Sequence, residues 1–251
     1  MEPYLLILGG TAEASALAAQ VSQWGVRAVY SYAGRVAAPK EQPIPTRIGG
    51  FGGAEGLAEY IRSEGITHMV DATHPFAAAM SSNAVKACAM TRTALIALSR
   101  PAWVAQPGDN WQSVRGVGRA MAALGETPRR VFLATGRQNL EVFAKAPQHF
   151  YLLRLVDQPD GPLPLPNVHA EIATGPFNVA SDRALLEEHK IDVVVSKNAG
   201  GTGARAKLDA ARALGLPVIM IERPEMPERH EVHDLDAIYT WLAHAGTDLG
   251  V

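Results

Sequence analysis

The sequence predicts an α/β protein of two lobes, each built on a mainly parallel sheet with helices on its faces. Three observations carry that prediction. Short apolar runs that read as buried strands alternate almost throughout with longer helix-like runs, the order expected where helices connect parallel strands. The stretch Arg100-Pro101-Ala102-Trp103 through Gln106-Pro107-Gly108-Asp109 interrupts the alternation with prolines and a turn, after which it restarts. Polar and glycine-bearing clusters follow several of the strand-like runs, at the carboxyl ends where open α/β sheets bind ligands.

Taken in order, Tyr4-Leu5-Leu6-Ile7-Leu8 is apolar over its whole length, as a strand covered on both faces is. Gly9-Gly10-Thr11 turns it into a small-residue helix at 12–24. Strands follow at 27–31, 46–48, 68–71 and 94–98, with helices at 54–64 and 76–90. Gly25 and Gly65 stand just past two of the helices, as helix stops do. These elements make a first lobe over residues 1–104. In the second, 105–251, strands at 130–134, 149–155, 169–173, 192–196 and 217–221 alternate with helices at 117–124, 140–145, 179–189, 205–214 and 235–243. The last helix can pack on either lobe. The run 158–166 carries too many prolines for a helix or strand and reads as a surface loop or the edge of a cleft.

Composition narrows the function. At 251 residues, 47% hydrophobic and 19% charged, the chain can bury a large core. A formal net charge of -2 without a basic run argues against a nucleic-acid partner. Cys88 is the only cysteine, which excludes intramolecular disulfides and thiolate-rich metal sites and suits a reducing cytoplasm. The first strand leads directly into the glycine turn, with no leader-like pattern before it, and no apolar run is long enough to span a bilayer. The expectation is a cytoplasmic protein without membrane partners. The oligomeric state is left open, a monomer included.

The turn Gly9-Gly10-Thr11-Ala12-Glu13-Ala14 is a relative of the G-x-G-x-x-G fingerprint, with Ala14 where the last glycine often sits. Two glycines let backbone approach a diphosphate, and the first-turn N–H groups of the helix point at it. A tight turn that binds nothing reads the same way. After the second strand, where NAD sites place a carboxylate, the chain has Ser31-Tyr32-Ala33-Gly34-Arg35. A hydroxyl and a guanidinium suit a 2′-phosphate and so point to NADPH over NADH, the competing account being that Arg35 is a solvated loop residue. Gly49-Gly50-Phe51-Gly52-Gly53 follows the third strand, and so many glycines imply either a ligand close to the backbone or a flexible turn.

Asp71-Ala72-Thr73-His74-Pro75-Phe76-Ala77 ends the fourth strand. Pro75 suits a helix's first turn, Thr73 is placed to cap it, and His74 has no such structural task. The second lobe offers Thr135-Gly136-Arg137-Gln138, Thr174-Gly175-Pro176-Phe177 and Ser196-Lys197-Asn198-Ala199-Gly200-Gly201-Thr202-Gly203. With Arg100 and Arg154 these are expected to line a facing cleft with positive charge, suited to a polycarboxylate. Strand ends in any α/β fold also collect Gly, Thr and Lys. His230 and His233 have a conceivable ligand spacing but lie among Pro227, Glu228 and Glu231, so no metal is expected. The chain has no Tyr-x-x-x-Lys pair, His-Glu-x-x-His, Gly-x-Ser-x-Gly or G-x-x-x-x-G-K-[ST].

In combination and order, Gly9-Gly10-Thr11-Ala12-Glu13-Ala14, Gly50-Phe51-Gly52-Gly53, the 71–77 run, Thr135-Gly136-Arg137-Gln138, Gly175-Pro176-Phe177 and Lys197-Asn198-Ala199-Gly200-Gly201 resemble the precorrin-6A reductase family. The resemblance spans residue 4 to about residue 224. It departs at Ser15, where the family commonly has Arg; at Thr174, where Arg often precedes Gly-Pro-Phe; and at Ser196 and Ala199, where Thr and Ser are usual. It implies two Rossmann-like lobes with the cofactor in a cleft between them. It also implies NADPH-dependent reduction of a tetrapyrrole, precorrin-6A or its cobalt form, at a carbon–carbon bond during cobalamin synthesis. On that basis Gly9, Gly10, Thr11, Ala12, Gly50, Phe51, Gly52 and Thr73 are expected on the cofactor, with Ser31 and Arg35 at its 2′-phosphate. Arg100, Thr135, Gly136, Arg137, Lys197, Asn198, Gly200 and Gly201 are expected on the macrocycle's acid arms. The reduction also needs a proton. Asp157 is nominated because it sits where a strand meets the proline loop, and partial burial beside the apolar macrocycle would raise its pKa; a turn-forming aspartate reads the same way, with His74 or water as the other proton sources. A non-catalytic NADP(H) sensor is the alternative from another class, and it gives no reason for a cationic second lobe.

Overall fold

The structure, a computed structural model, describes residues 2–34, 39–159, 161–175 and 177–245. In chain order the elements are β1 (Tyr4–Leu8), α1 (Ala12–Trp24), β2 (Arg27–Tyr32), β3 (Thr46–Ile48), α2 (Gly53–Glu64), β4 (His68–Asp71), α3 (Ala78–Thr91), β5 (Ala94–Leu98), β6 (Trp111–Val114) and α4 (Val117–Ala123). There follow β7 (Arg130–Ala134), α5 (Leu140–Phe143), β8 (Phe150–Leu155), β9 (Val168–Ile172), α6 (Val179–Glu188), β10 (Val193–Lys197), α7 (Ala206–Ala213), β11 (Val218–Ile221), β12 (Glu231–Val232) and α8 (Leu235–Ala245). They form two six-stranded sheets, in the orders β12-β5-β4-β1-β2-β3 and β6-β11-β10-β7-β8-β9, with every strand pairing parallel.

The two-lobed parallel α/β architecture expected from the sequence is present, with a different division of the chain. One compact unit is Met1–Arg100 with Glu225–Val251, and the other is Pro101–Pro224. The expected boundary after 104 therefore falls at 100, and the C-terminal segment belongs with the first unit. Physical reasons are visible at both elements of that segment. β12 pairs with the outer edge of β5, through Glu231 with Ala97 and Val232 with Leu98. α8 buries Ile238 and Leu242 against the α1 side of the same sheet. Only the first sheet takes its sixth strand, β12, from the far end of the chain; β6, at the edge of the second, lies within the continuous segment that forms that unit.

Strand periodicity sorts the first unit's core. Leu5 and Ile7 face α1 and α8, packing with Leu17, Val21, Tyr30 and Ile96. Leu6 and Leu8 face α2 and α3, packing with Leu57, Ile61, Met69 and Cys88. Leu5, Leu6, Ile7 and Leu8 are each at most 2% exposed, which is why this strand reads as a continuous apolar run instead of an alternating one. Each such side chain contributes about 1.5–3 kcal/mol of burial. The second unit repeats the plan with Phe132, Leu152, Val194 and Met220 against Leu186, Leu208 and Ala211. Burial pushes the Cys88 thiol up to about 12, with the charge of Asp71 adding to it, so this thiol is an inert core group.

Two strands were not foreseen. β6 has an exposed, polar centre and β12 is only two residues long, so neither carries an apolar alternation. The helix expected from 76 begins at Ala78, because residues 74–77 close a turn in which the Ala77 N–H donates to the His74 carbonyl at 2.7 Å. Among the described residues no helix is long and apolar enough to cross a membrane.

Two buried histidines make stability pH-dependent. His149 is fully buried, accepting the Arg129 N–H at 3.1 Å through Nδ1 and facing the Gly125 carbonyl at 3.1 Å through Nε2. His68, on β4, is 8% exposed. Burial lowers the pKa of both below the ordinary 6.5. The unfolded chain then holds these protons more tightly, so the neutral forms' contribution is whole above 6.5 and is lost as pH falls below it. The urea midpoint is expected to fall as pH is lowered through that window, and His149→Gln is expected to flatten the fall. An unchanged pH dependence in the variant would remove His149 from this role.

Candidate functional site

The strand order of the first sheet reverses at β1, whose chain continues to β2 on one side while β4 lies on the other. A ligand crevice forms at such a point, outside the carboxyl ends of the strands. There the Thr11 hydroxyl donates to the Ala72 carbonyl at 2.7 Å and accepts the Ala14 N–H at 3.1 Å, joining the ends of β1 and β4 while capping α1. The N–H groups of Ala12 and Glu13, in the helix's first turn, have no acceptor within the helix. Gly9 is fixed by packing: a Cβ there would lie 2.1 Å from Cζ of Tyr30, which is fully buried beneath the turn. Gly10 has φ +108, and a Cβ there would meet nothing within 4 Å, so the turn presents bare backbone to open space. Its N–H donates to the Tyr30 hydroxyl at 2.9 Å, and burial raises that phenol's pKa so that it stays neutral. A cavity of about 640 Å³ opens on Gly10, Thr11, Ala12, Ser15, Tyr32 and Lys40. This backbone cradle fits the phosphates of a nucleotide.

At the end of β2, Ser31 is buried and its hydroxyl accepts from Arg47 Nη1 at 2.8 Å. The same guanidinium donates to the carbonyls of Gly49 at 2.9 Å and Gly50 at 3.3 Å and lies over the Phe51 ring at 3.8 Å. Ser31, Gly50, Phe51 and Gly52 thus share one corner of the first unit. Arg35 lies outside the described residues.

The 71–77 run is organised by the carboxylate of Asp71, 3% exposed at the end of β4. Its Oδ1 accepts from the Thr73 N–H at 3.1 Å and the Thr73 hydroxyl at 2.7 Å. Oδ2 accepts from the Ser81 hydroxyl at 2.6 Å and from Arg229 Nη1. Thr73 is therefore not the helix cap expected of it; α3 starts at Ala78, with Ala77 at the cap position and no side-chain cap bond. His74 Nδ1 accepts the Phe76 N–H at 3.2 Å, which puts the proton of the neutral ring on Nε2. Arg100, expected on the substrate, belongs to the first unit and pairs with Glu13 of α1 at 2.6 Å.

In the second unit the order reverses at β7, next to β10. Thr135, just past β7, is 5% exposed, and its hydroxyl has no partner. Gly136 follows at φ +75. Arg137 donates to the carbonyls of Asp157 and Gln158, each at 2.6 Å, and so secures the start of the proline loop. Asp157 itself is exposed. Past β10, Asn198 has both ends of its amide on the Trp103 backbone, accepting its N–H at 2.7 Å and donating to its carbonyl at 2.9 Å. Gly201 accepts the Trp103 indole N–H at 2.6 Å. Gly200 lies beside it, and Lys197 is the last residue of β10.

The expected cationic lining is reduced by pairing. Arg154 binds the buried Asp182 and stacks on Phe177 at 3.7 Å, so it does not present an open charge. Arg47, Arg229 and Trp103 were missed as site-shaping residues. Arg229 and Trp103 act across 158 and 95 positions, and nothing local marks either of them. His233 Nδ1 sits 3.0 Å from the Ser99 carbonyl, and among the described residues no three His, Cys, Asp or Glu side chains form a metal-binding group.

Sheets that reverse at a glycine turn opening a helix place the chain among Rossmann-like α/β proteins. A model of the family described as precorrin-6x reductase CbiJ/CobK matches residues 4–243. The chain is 58% identical over 248 residues to a precorrin-6A reductase of Rhodobacter capsulatus, covering 98% of this chain and 99% of that one. It is 32% identical over 234 residues to a cobalt-precorrin-6A reductase of Priestia megaterium, covering 88% and 91%. A solved CobK precorrin-6A reductase superposes with a TM-score of 0.93 at 57% identity over 97% of both chains. The chain belongs to the precorrin-6x reductase family and is an oxidoreductase.

Asn198→Ala is expected to strip two buried backbone groups of Trp103 of their partners and to lower stability by about 2–3 kcal/mol in urea unfolding. A change below about 0.5 kcal/mol would show that water replaces the clamp. Gly9→Ala, which drives a methyl into the Tyr30 ring, is expected to abolish dinucleotide binding as read by nicotinamide fluorescence, and full binding would refute the packing argument.

Proposed function

We propose that the chain reduces precorrin-6A to precorrin-6B with NADPH in cobalamin synthesis. The observation that carries this reading is the turn at the end of β1. Gly10 faces open space, Thr11 caps α1, and the helix's first N–H groups point out of it. When bound, NADPH supplies the hydride for one carbon of the macrocycle. The relatives' names support the substrate: those named for precorrin-6A reach 58% identity, against 32% for the first of those named for the cobalt form. We take the metal-free ring as the substrate on that ground.

In this reading Gly9, Gly10, Thr11 and Ala12 hold the diphosphate, Gly50, Phe51 and Gly52 border the adenosine, and Thr73 keeps the β4 turn in place through Asp71. Ser31, with Arg35 as the sequence proposes, faces the 2′-phosphate. Thr135 carries a buried hydroxyl with no partner, as a group reserved for a ligand does, and Gly136 follows it. Arg137 and Lys197 bring positive charge to the acid arms. Asn198 and Gly201 act by shape, anchoring Trp103 and so fixing the turn that Lys197 opens, in which Gly200 supplies a left-handed residue. Arg100, in contrast, offsets Glu13 beside the glycine turn, and we place it with the cofactor's phosphates instead of the macrocycle.

The second hydrogen arrives as a proton at the neighbouring carbon. Asp157 and His74 are the two side chains proposed for it. Asp157 stands on an exposed loop held by Arg137, and His74 keeps its ring proton on Nε2 through the Phe76 bond. The residue that delivers it is identified by a variant, Asp157→Asn or His74→Gln, whose kcat falls about 100-fold or more with little change in KM.

Stopped-flow mixing of the purified protein with NADPH and precorrin-6A is expected to show substrate-dependent loss of nicotinamide absorbance. No loss would end the reading. Arg137→Ala is expected to raise KM for the macrocycle about tenfold while leaving KM for NADPH within about twofold. Equal changes in both would place Arg137 outside the macrocycle site.

A further inference from the structure

We propose that Arg47, together with Ser31 and Arg35, reads the 2′-phosphate of the dinucleotide, which makes it a determinant of cofactor choice; the proposal rests on the NADPH reading above. It begins from charge. At the carboxyl edge of the first sheet, Arg100 is paired with Glu13, and Arg229 with Asp71 and Glu231. Arg47 stands at the same edge, on β3, and among the described residues no carboxylate pairs with it. Its three hydrogen bonds go to neutral oxygens, the Ser31 hydroxyl and the carbonyls of Gly49 and Gly50. The charge of this guanidinium is therefore not offset within the site.

Position and shape point the same way. Ser31 occupies the end of β2, where a dinucleotide site that prefers an unphosphorylated ribose places a carboxylate on the 2′-hydroxyl. Here that place holds a buried hydroxyl already donated to by a guanidinium at 2.8 Å. A carboxylate is replaced by a cation, which reverses the preference from hydroxyl donor to phosphate dianion. The plane of the cation is fixed as well, since it lies 3.8 Å from the Phe51 ring centroid and 5.1 Å from that of Tyr60. Arginine carries five N–H donors, so the three bonds leave two for a ligand. The Gly49 and Gly50 carbonyls on the same group tie the glycine loop to the phosphate reader, so one residue shapes the loop and sets its specificity.

The test is titration of the full chain with NADPH and NADH, followed by nicotinamide fluorescence, for wild type, Arg47→Ala and Ser31→Asp. Wild type is expected to favour NADPH. Arg47→Ala is expected to weaken NADPH about 10- to 100-fold and to leave NADH within about twofold. Ser31→Asp keeps Arg47 and its loop contacts but gives it a carboxylate, and is expected to lose the same preference, which keeps the assignment testable if the alanine variant does not fold. If Arg47→Ala weakens both cofactors alike, or Ser31→Asp retains the full preference, Arg47 only clamps the loop and the assignment is overturned while the NADPH reading stands. A wild-type protein with no preference overturns the NADPH reading itself, and the assignment with it.

Discussion

The carboxylate of Asp71 is the constraint on which the first unit's working edge depends. A buried negative charge is tolerated only where donors surround it, and here they come from three separate pieces of chain. Thr73 fixes the turn that carries His74, Ser81 fixes the start of α3, and Arg229 brings in the segment that continues into β12. The end of β4 is in turn tied to the end of β1 through Thr11 and the Ala72 carbonyl. One ionised group thus couples the glycine turn, the histidine-bearing turn and the returning C-terminal segment into a single rigid edge.

Much of this fold is legible in the sequence because its central strands are covered on both faces. Leu5 to Leu8 and Val193 to Val195 are continuous apolar runs, and the glycine turns that follow β1 and β10 are visible as local strings. The edge strands β6 and β12 are not legible, since a strand with one neighbour and a wet face has no need of apolar alternation. Nor is the return of residues after 224 to the first unit, because it depends on a partner edge more than a hundred residues earlier.

The site was legible in its composition more than in its assignments. The motif positions lie at the carboxyl ends of strands, where sequence reasoning puts them. What each side chain does there depends on its neighbours: Asn198 holds Trp103, Thr73 serves Asp71, and Arg154 is taken by Asp182. A residue type announces chemical capacity, and long-range pairing decides whether the capacity is spent inside the protein or kept for a ligand. Arg47 and the buried hydroxyl of Thr135 stand out by the second test, which no local string supplies.

The late return of β12 to the first sheet also shapes how the chain matures on the ribosome. The second unit has all its strands once β11 has emerged, whereas the first, although started earlier, waits for β12 and α8 to seal the side of β5. The later-begun unit is thus the first to be finished, and a nascent chain halted near residue 224 would expose the β5 edge as an open template for intermolecular pairing.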